Sequence, residues 1–451
     1  MSSATSGRIA IIGGGPAGSL LAILLAQRGF EPVVIERGAR FTATNVGGGR
    51  SINLALAARG IDALRRAGVD DDVRGLMIPM RGRIVHDLEG KQRFLAYGQR
   101  AAEEIYSVSR AALNALLYRL AAEQHGVEYR FNTRCVDVDP SSGDPIVETA
   151  GGRTTLEFDV VFAADGAGSE VRRSLAEAGS IEAREHLLDH GYKELTIPPG
   201  HDGAFVLEPN ALHIWPRGGF MLIALPNPDK SFTATLFLPR AGENSFGAVG
   251  DDVVDDFFRR EFADAIPLMP SLQRDYASHP TGVLGTVTCR PWSRDKTLLI
   301  GDAAHAIVPF HGQGMNAAFE DCVVLDKLLE RRVADDAGGW PEVFSDFERL
   351  RAPNTRAIAE MAIENYQEMR DEVRDAKFEL RAALSFELER RFPGRFVPRY
   401  SMVMFHPEIS YAEAQRRGAV QARILRELTA GAETLVDVDF GRATKLVENE
   451  L

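Results

Sequence analysis

Cysteine is nearly absent: three residues in 451, Cys135, Cys289 and Cys322, odd in number, far apart and without Cys-x-x-Cys spacing. That pattern excludes a disulfide framework and a zinc knuckle, and it predicts a reducing, cytoplasmic setting. Positive charge is in deficit as well. With 52 Lys plus Arg against 64 Asp plus Glu, the formal net charge is −12 and no basic block stands out, so nucleic acid is not an expected partner. Long apolar runs are missing: the stretch Ile214 to Leu225 is broken by Pro216, Arg217 and glycines, short of what a bilayer crossing needs. The start, Met1 to Gly7, is short and polar and leads straight into a strand, so no secretion signal is expected. The tail from Thr429 to Leu451 holds Glu433, Asp437, Asp439, Arg442, Lys445, Glu448 and Glu450 and predicts no membrane anchor. Internal repeats and low-complexity tracts are absent too.

What is present is ordinary globular material, 45% apolar and 26% charged, in a chain long enough for two or three packed units. Arg8 to Ile12, the glycines after it, Ala17 to Gly29 and Pro32 to Ile35 read as a βαβ unit, which implies a parallel sheet covered on both faces. Strand-like runs recur at Phe158 to Ala163 and Thr297 to Ile300, each followed by a turn rich in Gly and Asp. Open α/β sheets bind ligands at such strand ends. Between them, Ala204 to Leu207, His213 to Trp215, Phe220 to Leu225 and Phe232 to Leu238 alternate with Pro, Gly and Asn turns, the pattern of an antiparallel sheet. Val253, Val254, Phe257, Phe258 and Phe262 fall at helical spacing within Asp251 to Ile266. Helices are also expected over Ala317 to Glu330, Trp340 to Lys377 and Ala412 to Leu428. The fold class is therefore α/β, a Rossmann-like domain with a mainly antiparallel β-sheet domain and a C-terminal helical region.

Gly13-x-Gly15-x-x-Gly18 follows a strand and opens a helix, and Glu36 ends the second strand. The first glycine makes the tight turn, the second lets a diphosphate approach the backbone, and the third lets helix and strand pack. The helix N-terminus supplies N–H groups and a positive dipole to the diphosphate, and Glu36 can accept the hydroxyls of an adenosine ribose. This motif alone does not choose between FAD and NAD. Two later turns bear on that choice, Asp165-Gly166 and Gly301-Asp302-Ala303-Ala304-His305. Asp302 suits the ribityl chain of a flavin, and Gly312-Gln-Gly-Met-Asn316 leads into a helix whose N-terminus would stabilise negative charge on a reduced flavin. The plainer alternatives are a helix cap for Asp302 and an ordinary glycine loop for 312 to 314.

Together these elements resemble the FAD-binding signature of the class A flavoprotein monooxygenases, the para-hydroxybenzoate hydroxylase type. No second Gly-x-Gly-x-x-Gly unit exists, which agrees with a family whose NADPH visits without a Rossmann domain of its own. Further strings narrow the likeness: Gly49 to Leu56, Met80 to Asp87, Ile105 to Arg110, His190 to Leu195, His213 to Arg217 and Pro309 to Cys322. They are similar to the kynurenine 3-monooxygenase family, from about Arg8 to about Met402.

The resemblance implies that FAD is held by Gly13, Gly15, Gly18, Glu36, Arg37, Arg110, Asp302, Gly312, Gln313, Gly314, Met315 and Asn316. It implies a substrate whose amino-acid end meets Arg83, Tyr97, Asn365 and Tyr400. The ring would lie against Leu212, Ile223, Leu225, Phe237, Pro309 and Phe310, near His311. The implied reaction uses NADPH and O2 to hydroxylate L-kynurenine to 3-hydroxykynurenine through a flavin hydroperoxide. Residues 1–75, 100–180 and 275–370 would form the FAD-binding domain, 76–99 and 181–274 the substrate-binding sheet domain, and 371–451 the helical region. Two other readings stay open: a hydroxylase of a related aryl amino acid, and a flavin reductase of the geranylgeranyl reductase type. A homodimer is left open as an assembly.

Without the resemblance, Arg83 reads as a surface ion pair, Tyr97 and Tyr400 as half-buried tyrosines, and Asn365 as a polar residue on a helix surface. His186 and His190 could face one way on a helix, but no His-Glu-x-x-His or further ligand accompanies them, and no metal is expected. No catalytic acid or base is assigned.

Overall fold

The computed structural model describes residues 7–40, 53–335, 339–371 and 376–451. Residues 49–52 of the Gly49 to Leu56 string and residues 372–375 of the helix expected to reach Lys377 lie outside the described residues. The chain divides into two compact units. One comprises Met1–Met77, Val108–Leu187 and Gly285–Thr355, and the other Ile78–Ser107, Leu188–Leu284 and Arg356–Leu451.

The first unit is built on a six-stranded sheet in the order Ser293–Arg294, Thr297–Leu299, Val160–Ala163, Ile9–Ile12, Pro32–Ile35, Glu128–Arg130. All pairs are parallel except the hairpin at Ser293–Arg294. Ile9–Ile12 and Val160–Ala163 are buried at every position, as strands covered on both faces must be, and this is why they read as unbroken apolar runs. The helix Pro16–Gln27 starts on a proline whose missing N–H costs nothing at that position.

A seven-stranded sheet, whose strands lie mainly in the second unit, has the order Gly282–Arg290, Glu182–Ile197, Phe232–Pro239, Met221–Pro226, Ala211–Pro216, Gly82–His86, Gln92–Ala96. Phe232–Pro239 pairs antiparallel with both neighbours, and Met221–Pro226 pairs antiparallel with Ala211–Pro216. Gly82–His86 joins antiparallel to Gln92–Ala96 and parallel to Ala211–Pro216. One face packs Trp215, Leu222, Ala224, Ala234 and Leu236 against Phe257, Phe258 and Phe262.

Local details depart from the pattern reading. Ala204 to Leu207 is not a strand; the Pro198-Pro-Gly-His-Asp-Gly203 run makes turns, closed by Gly200 N–H to Ala204 O, and Phe205, Val206 and Leu207 pack on the core as irregular chain. The helix expected over Asp251 to Ile266 is Val254–Glu261, because Phe262 leaves helical backbone at φ −135°, ψ 49° while staying buried. His186 and His190 both lie on the strand Glu182–Ile197 rather than on a helix. Four residues of strand span about 13 Å, far beyond a shared metal ion.

The tail forms the helices Ala376–Arg391, Arg399–Phe405, Tyr411–Thr429 and Phe440–Glu450. Leu384, Leu388, Phe396, Ile424, Ala443 and Val447 bury an apolar core among them. Among the described residues no helix is long and apolar enough to cross a membrane.

Candidate active site

In the first unit the three glycines occupy three different environments. Gly13 has φ +103°, and a Cβ there would stand 2.5 Å from the Ala164 carbonyl oxygen; a Cβ on Gly18 would stand 2.0 Å from the Gly13 carbonyl oxygen. Both close approaches exclude any larger residue. Gly15, the N-cap of Pro16–Gln27, meets nothing within 4 Å. A bare backbone facing open space at a helix N-terminus is what a diphosphate requires. Glu36 stands at the end of Pro32–Ile35, its two carboxylate oxygens accepting from Gly14 N–H at 2.7 Å and Gly38 N–H at 2.6 Å. Those bonds fix the carboxylate while leaving lone pairs for ribose hydroxyls. Arg37 and Arg110 are exposed, Arg110 opening the helix Arg110–His125 behind the Ser109 cap.

Asp302 opens the short helix Asp302–His305, and the capping position belongs to Gly301, so the plain capping role is excluded. The turn is held from behind by Asp321. That buried carboxylate accepts from Gly301 N–H at 2.9 Å, His305 Nε2 at 2.6 Å and Arg351 Nε at 2.6 Å. Burial alone would push its pKa up; the His305 and Arg351 charges outweigh this and hold it below the usual carboxylate range. Asn316 is likewise wholly engaged, donating to Ala55 O and Gly312 O at 2.8 Å each and accepting from Ala57 N–H at 2.9 Å. Its side chain therefore braces the 312–316 loop instead of offering a ligand atom. Phe310, His311 and Gln313 are buried, Met315 is half-buried and Pro309 is exposed. An open backbone turn at a helix N-terminus, a fixed carboxylate at Glu36 and a Gly-Asp turn braced by Asp321 are a set that fits FAD.

Of the residues expected at the substrate, the second unit holds Arg83, Tyr97, Leu212, Ile223, Leu225, Phe237, Asn365 and Tyr400, whereas Pro309, Phe310 and His311 belong to the first. Strand register sets Arg83 beside Leu212, Ile214 beside Ile223, and Met221 beside Phe237. Since alternate residues share a face, Arg83, Leu212, Ile223, Leu225 and Phe237 all lie on the face opposite the Trp215 core. Tyr97 and Tyr400 stack with ring centroids 5.3 Å apart, and their hydroxyls are hydrogen-bonded. Burial pushes the Tyr97 phenol up to about 12, partly offset by the Arg83 charge and the Tyr400 hydrogen bond. The Tyr400 phenol is likewise raised, through burial and then its neighbour Tyr97. Both therefore keep their protons at neutral pH; one O–H is donated within the pair, which leaves one for an anion. Arg83 Nη2 lies 3.9 Å from Glu368 Oε1, a loose pair. Asn365, buried, precedes Glu368 by one turn on the helix Trp340–Asp371 and so shares its face.

Glu368 and Asp321 are the site residues that sequence reasoning passed over. Helical spacing from Asn365 could have found the first. The second lies inside a string already singled out, but only its three contacts reveal it. Among the described residues, no group of three or more His, Cys, Asp or Glu could hold a metal ion.

Residues 7–360 match the family model described as FAD binding domain. The chain is 46% identical over 447 residues to kynurenine 3-monooxygenase of Stenotrophomonas maltophilia (strain K279a), covering 98% of this chain and 97% of that protein. It is also 46% identical over 455 residues to kynurenine 3-monooxygenase of Myxococcus xanthus (strain DK1622), covering 100% and 97%. Its fold is similar to the tetrameric form of 2-methyl-3-hydroxypyridine-5-carboxylic acid oxygenase, with a TM-score of 0.68 at 19% identity over 90% of this chain and 98% of that one.

Proposed function

The chain belongs to the kynurenine 3-monooxygenase family of FAD-dependent aromatic monooxygenases, and on that premise we propose that it hydroxylates L-kynurenine to 3-hydroxykynurenine with NADPH and O2. The observation that carries the substrate reading is the polar cluster of the second unit, where Arg83, Tyr97, Tyr400 and Glu368 come together beside an apolar sheet face. A guanidinium with the remaining O–H of the phenol pair is a donor set for a carboxylate, and Glu368 offers an acceptor to the α-ammonium next to it. Leu212, Ile223, Leu225 and Phe237 would cover the aromatic ring and keep water from it.

Bound FAD supplies the redox chemistry that activates oxygen. Gly15 and the Pro16–Gln27 N-terminus would hold its diphosphate, Glu36 its adenosine ribose and Asp302 its ribityl chain. The N-terminus of the helix Gly314–Asp335 would stabilise negative charge on the reduced ring. No side chain is needed to ionise the substrate, since an ortho amino group already enriches the ring carbon to be hydroxylated. The test is product analysis by mass and retention time after incubation with NADPH, air and L-kynurenine. Formation of 3-hydroxykynurenine is expected; NADPH consumption that yields only hydrogen peroxide would overturn the reading.

A further inference from the structure

On the sheet face opposite Arg83 runs a buried chain of hydrogen bonds that the proposed reaction does not use. His86 Nδ1 lies 2.7 Å from Asp264 Oδ2, His86 Nε2 lies 2.9 Å from His213 Nδ1, and His213 Nε2 lies 2.9 Å from the Glu208 carbonyl oxygen. Both imidazoles have no exposed surface. The Trp215 indole stacks on His86 at 4.0 Å and 24°, and its Nε1–H donates to Asp264 at 3.0 Å.

The end groups set two of these bonds. A carbonyl oxygen only accepts, so His213 Nε2 donates to Glu208; an ionised carboxylate only accepts, so His86 Nδ1 donates to Asp264. The third bond joins His86 Nε2 to His213 Nδ1 across the two strands. Burial pushes the His213 pKa down to about 4. Burial works against the Asp264 carboxylate, but hydrogen bonds from His86 and Trp215 outweigh it and hold that group below the usual carboxylate range.

The place of this chain gives it a consequence. Ala211–Pro216 and Gly82–His86 pair in parallel, so no tight hairpin sets their register. A slip of one residue would turn Arg83 away from the Leu212 face. His213 sits opposite Ile84, and its bond to His86 crosses the pair diagonally. We propose that His86, clamped between Asp264 and His213, is a positioning residue that fixes this register and holds Arg83 beside Leu212 on the substrate face. The inference rests on the reading of Arg83 and Leu212 as substrate ligands.

The titratable and charged groups facing His86 are Asp264 from the turn after Val254–Glu261, His213 from Ala211–Pro216, and Arg217, whose Nη1 donates to the His86 carbonyl at 3.1 Å. The hairpin partner offers Gln92, which does not titrate.

Two arms test this on the FAD-loaded enzyme. In protein labelled with ¹⁵N-histidine, a ¹⁵N–¹⁵N coupling across the hydrogen bond between His86 Nε2 and His213 Nδ1 should be detected; its absence would overturn the clamp whatever the substrate is. In kinetics with L-kynurenine, His213→Leu removes the partner of His86 Nε2 and should raise KM by about 10- to 100-fold with a much smaller change in kcat. His213→Gln should restore KM, since its amide oxygen can meet His86 while its NH2 donates to Glu208. If wild type makes 3-hydroxykynurenine and His213→Leu leaves KM within about twofold, the positioning role fails while the substrate reading stands. If wild type makes none, the substrate reading and the positioning role fall together, and the histidine coupling still decides the clamp.

Discussion

An arginine at a strand surface is ordinarily a solvated charge worth up to about 1 kcal/mol when paired. Arg83 differs because only 15% of its side chain is exposed and its acidic neighbour stands off at 3.9 Å, so its donors are aimed but underused. Truncating one partner of a buried charged contact costs about 2 to 5 kcal/mol, roughly 30- to several-thousand-fold in binding. Arg83→Ala should raise the KM for L-kynurenine by that factor while purified protein retains its flavin absorbance; an unchanged KM would remove Arg83 from the substrate site. Asp321 acts at the same scale in the first unit. Asp321→Asn leaves Arg351 and His305 facing an amide instead of a carboxylate, and breaking a buried pair costs about 3 to 5 kcal/mol. The Gly301-Asp302 turn loses its anchor, so lower flavin content and a lower Tm are expected. Full flavin occupancy with wild-type Tm would show that the turn holds itself.

The hairpin Gly82–His86 with Gln92–Ala96 is an element whose sequence tolerates little. A Cβ on Gly82 would stand 2.4 Å from the Leu95 carbonyl oxygen and 2.6 Å from the Phe94 ring, so Gly82→Ala should part the two strands that carry Arg83 and lead to Tyr97. Overpacking of this kind costs about 1 to 3 kcal/mol; a lower Tm together with a raised KM is expected, and a variant matching wild type in both would mean that the strands absorb the methyl. Gly15→Val is the opposite case: open space surrounds the missing Cβ, so the fold should stand and flavin should be lost, and folded yellow protein would contradict the diphosphate placement. The contrast explains which elements could be read from sequence. Ile9–Ile12 and its glycine turn were legible because buried parallel strands and tight turns leave local composition no latitude. Ala204 to Leu207 was misread because its apolar residues face a core without forming a ladder, which alternation cannot distinguish. The Asp264, His86 and His213 chain was invisible, since its members stand 127 and 178 residues apart and only the parallel pairing brings them together.

At the scale of the whole molecule, buried groups with shifted pKa values make stability a function of pH. The folded protein protonates His213 only near pH 4, whereas the unfolded chain does so near 6.5. Its pKa is depressed by folding, so its contribution is complete above about 6.5 and is lost as pH falls towards 4; the difference corresponds to at most about 3 kcal/mol. Asp264 and Asp321, held low in the folded state, act in the same direction deeper into acid. Tyr97 works at the other end: its pKa is raised to about 12, so its contribution is present below the ordinary tyrosine value and fades above it. Down to the isoelectric point near 5.4, general charge repulsion would predict the opposite, because protonation there relieves a net charge of −12 and eases self-repulsion. A fall in stability between pH 6.5 and 5.4 would therefore report the buried groups and not the surface. Urea midpoints measured across that window should drop in wild type, and they should drop less in His213→Gln, which has no imidazole to charge; parallel curves for the two proteins would exclude His213 as the source.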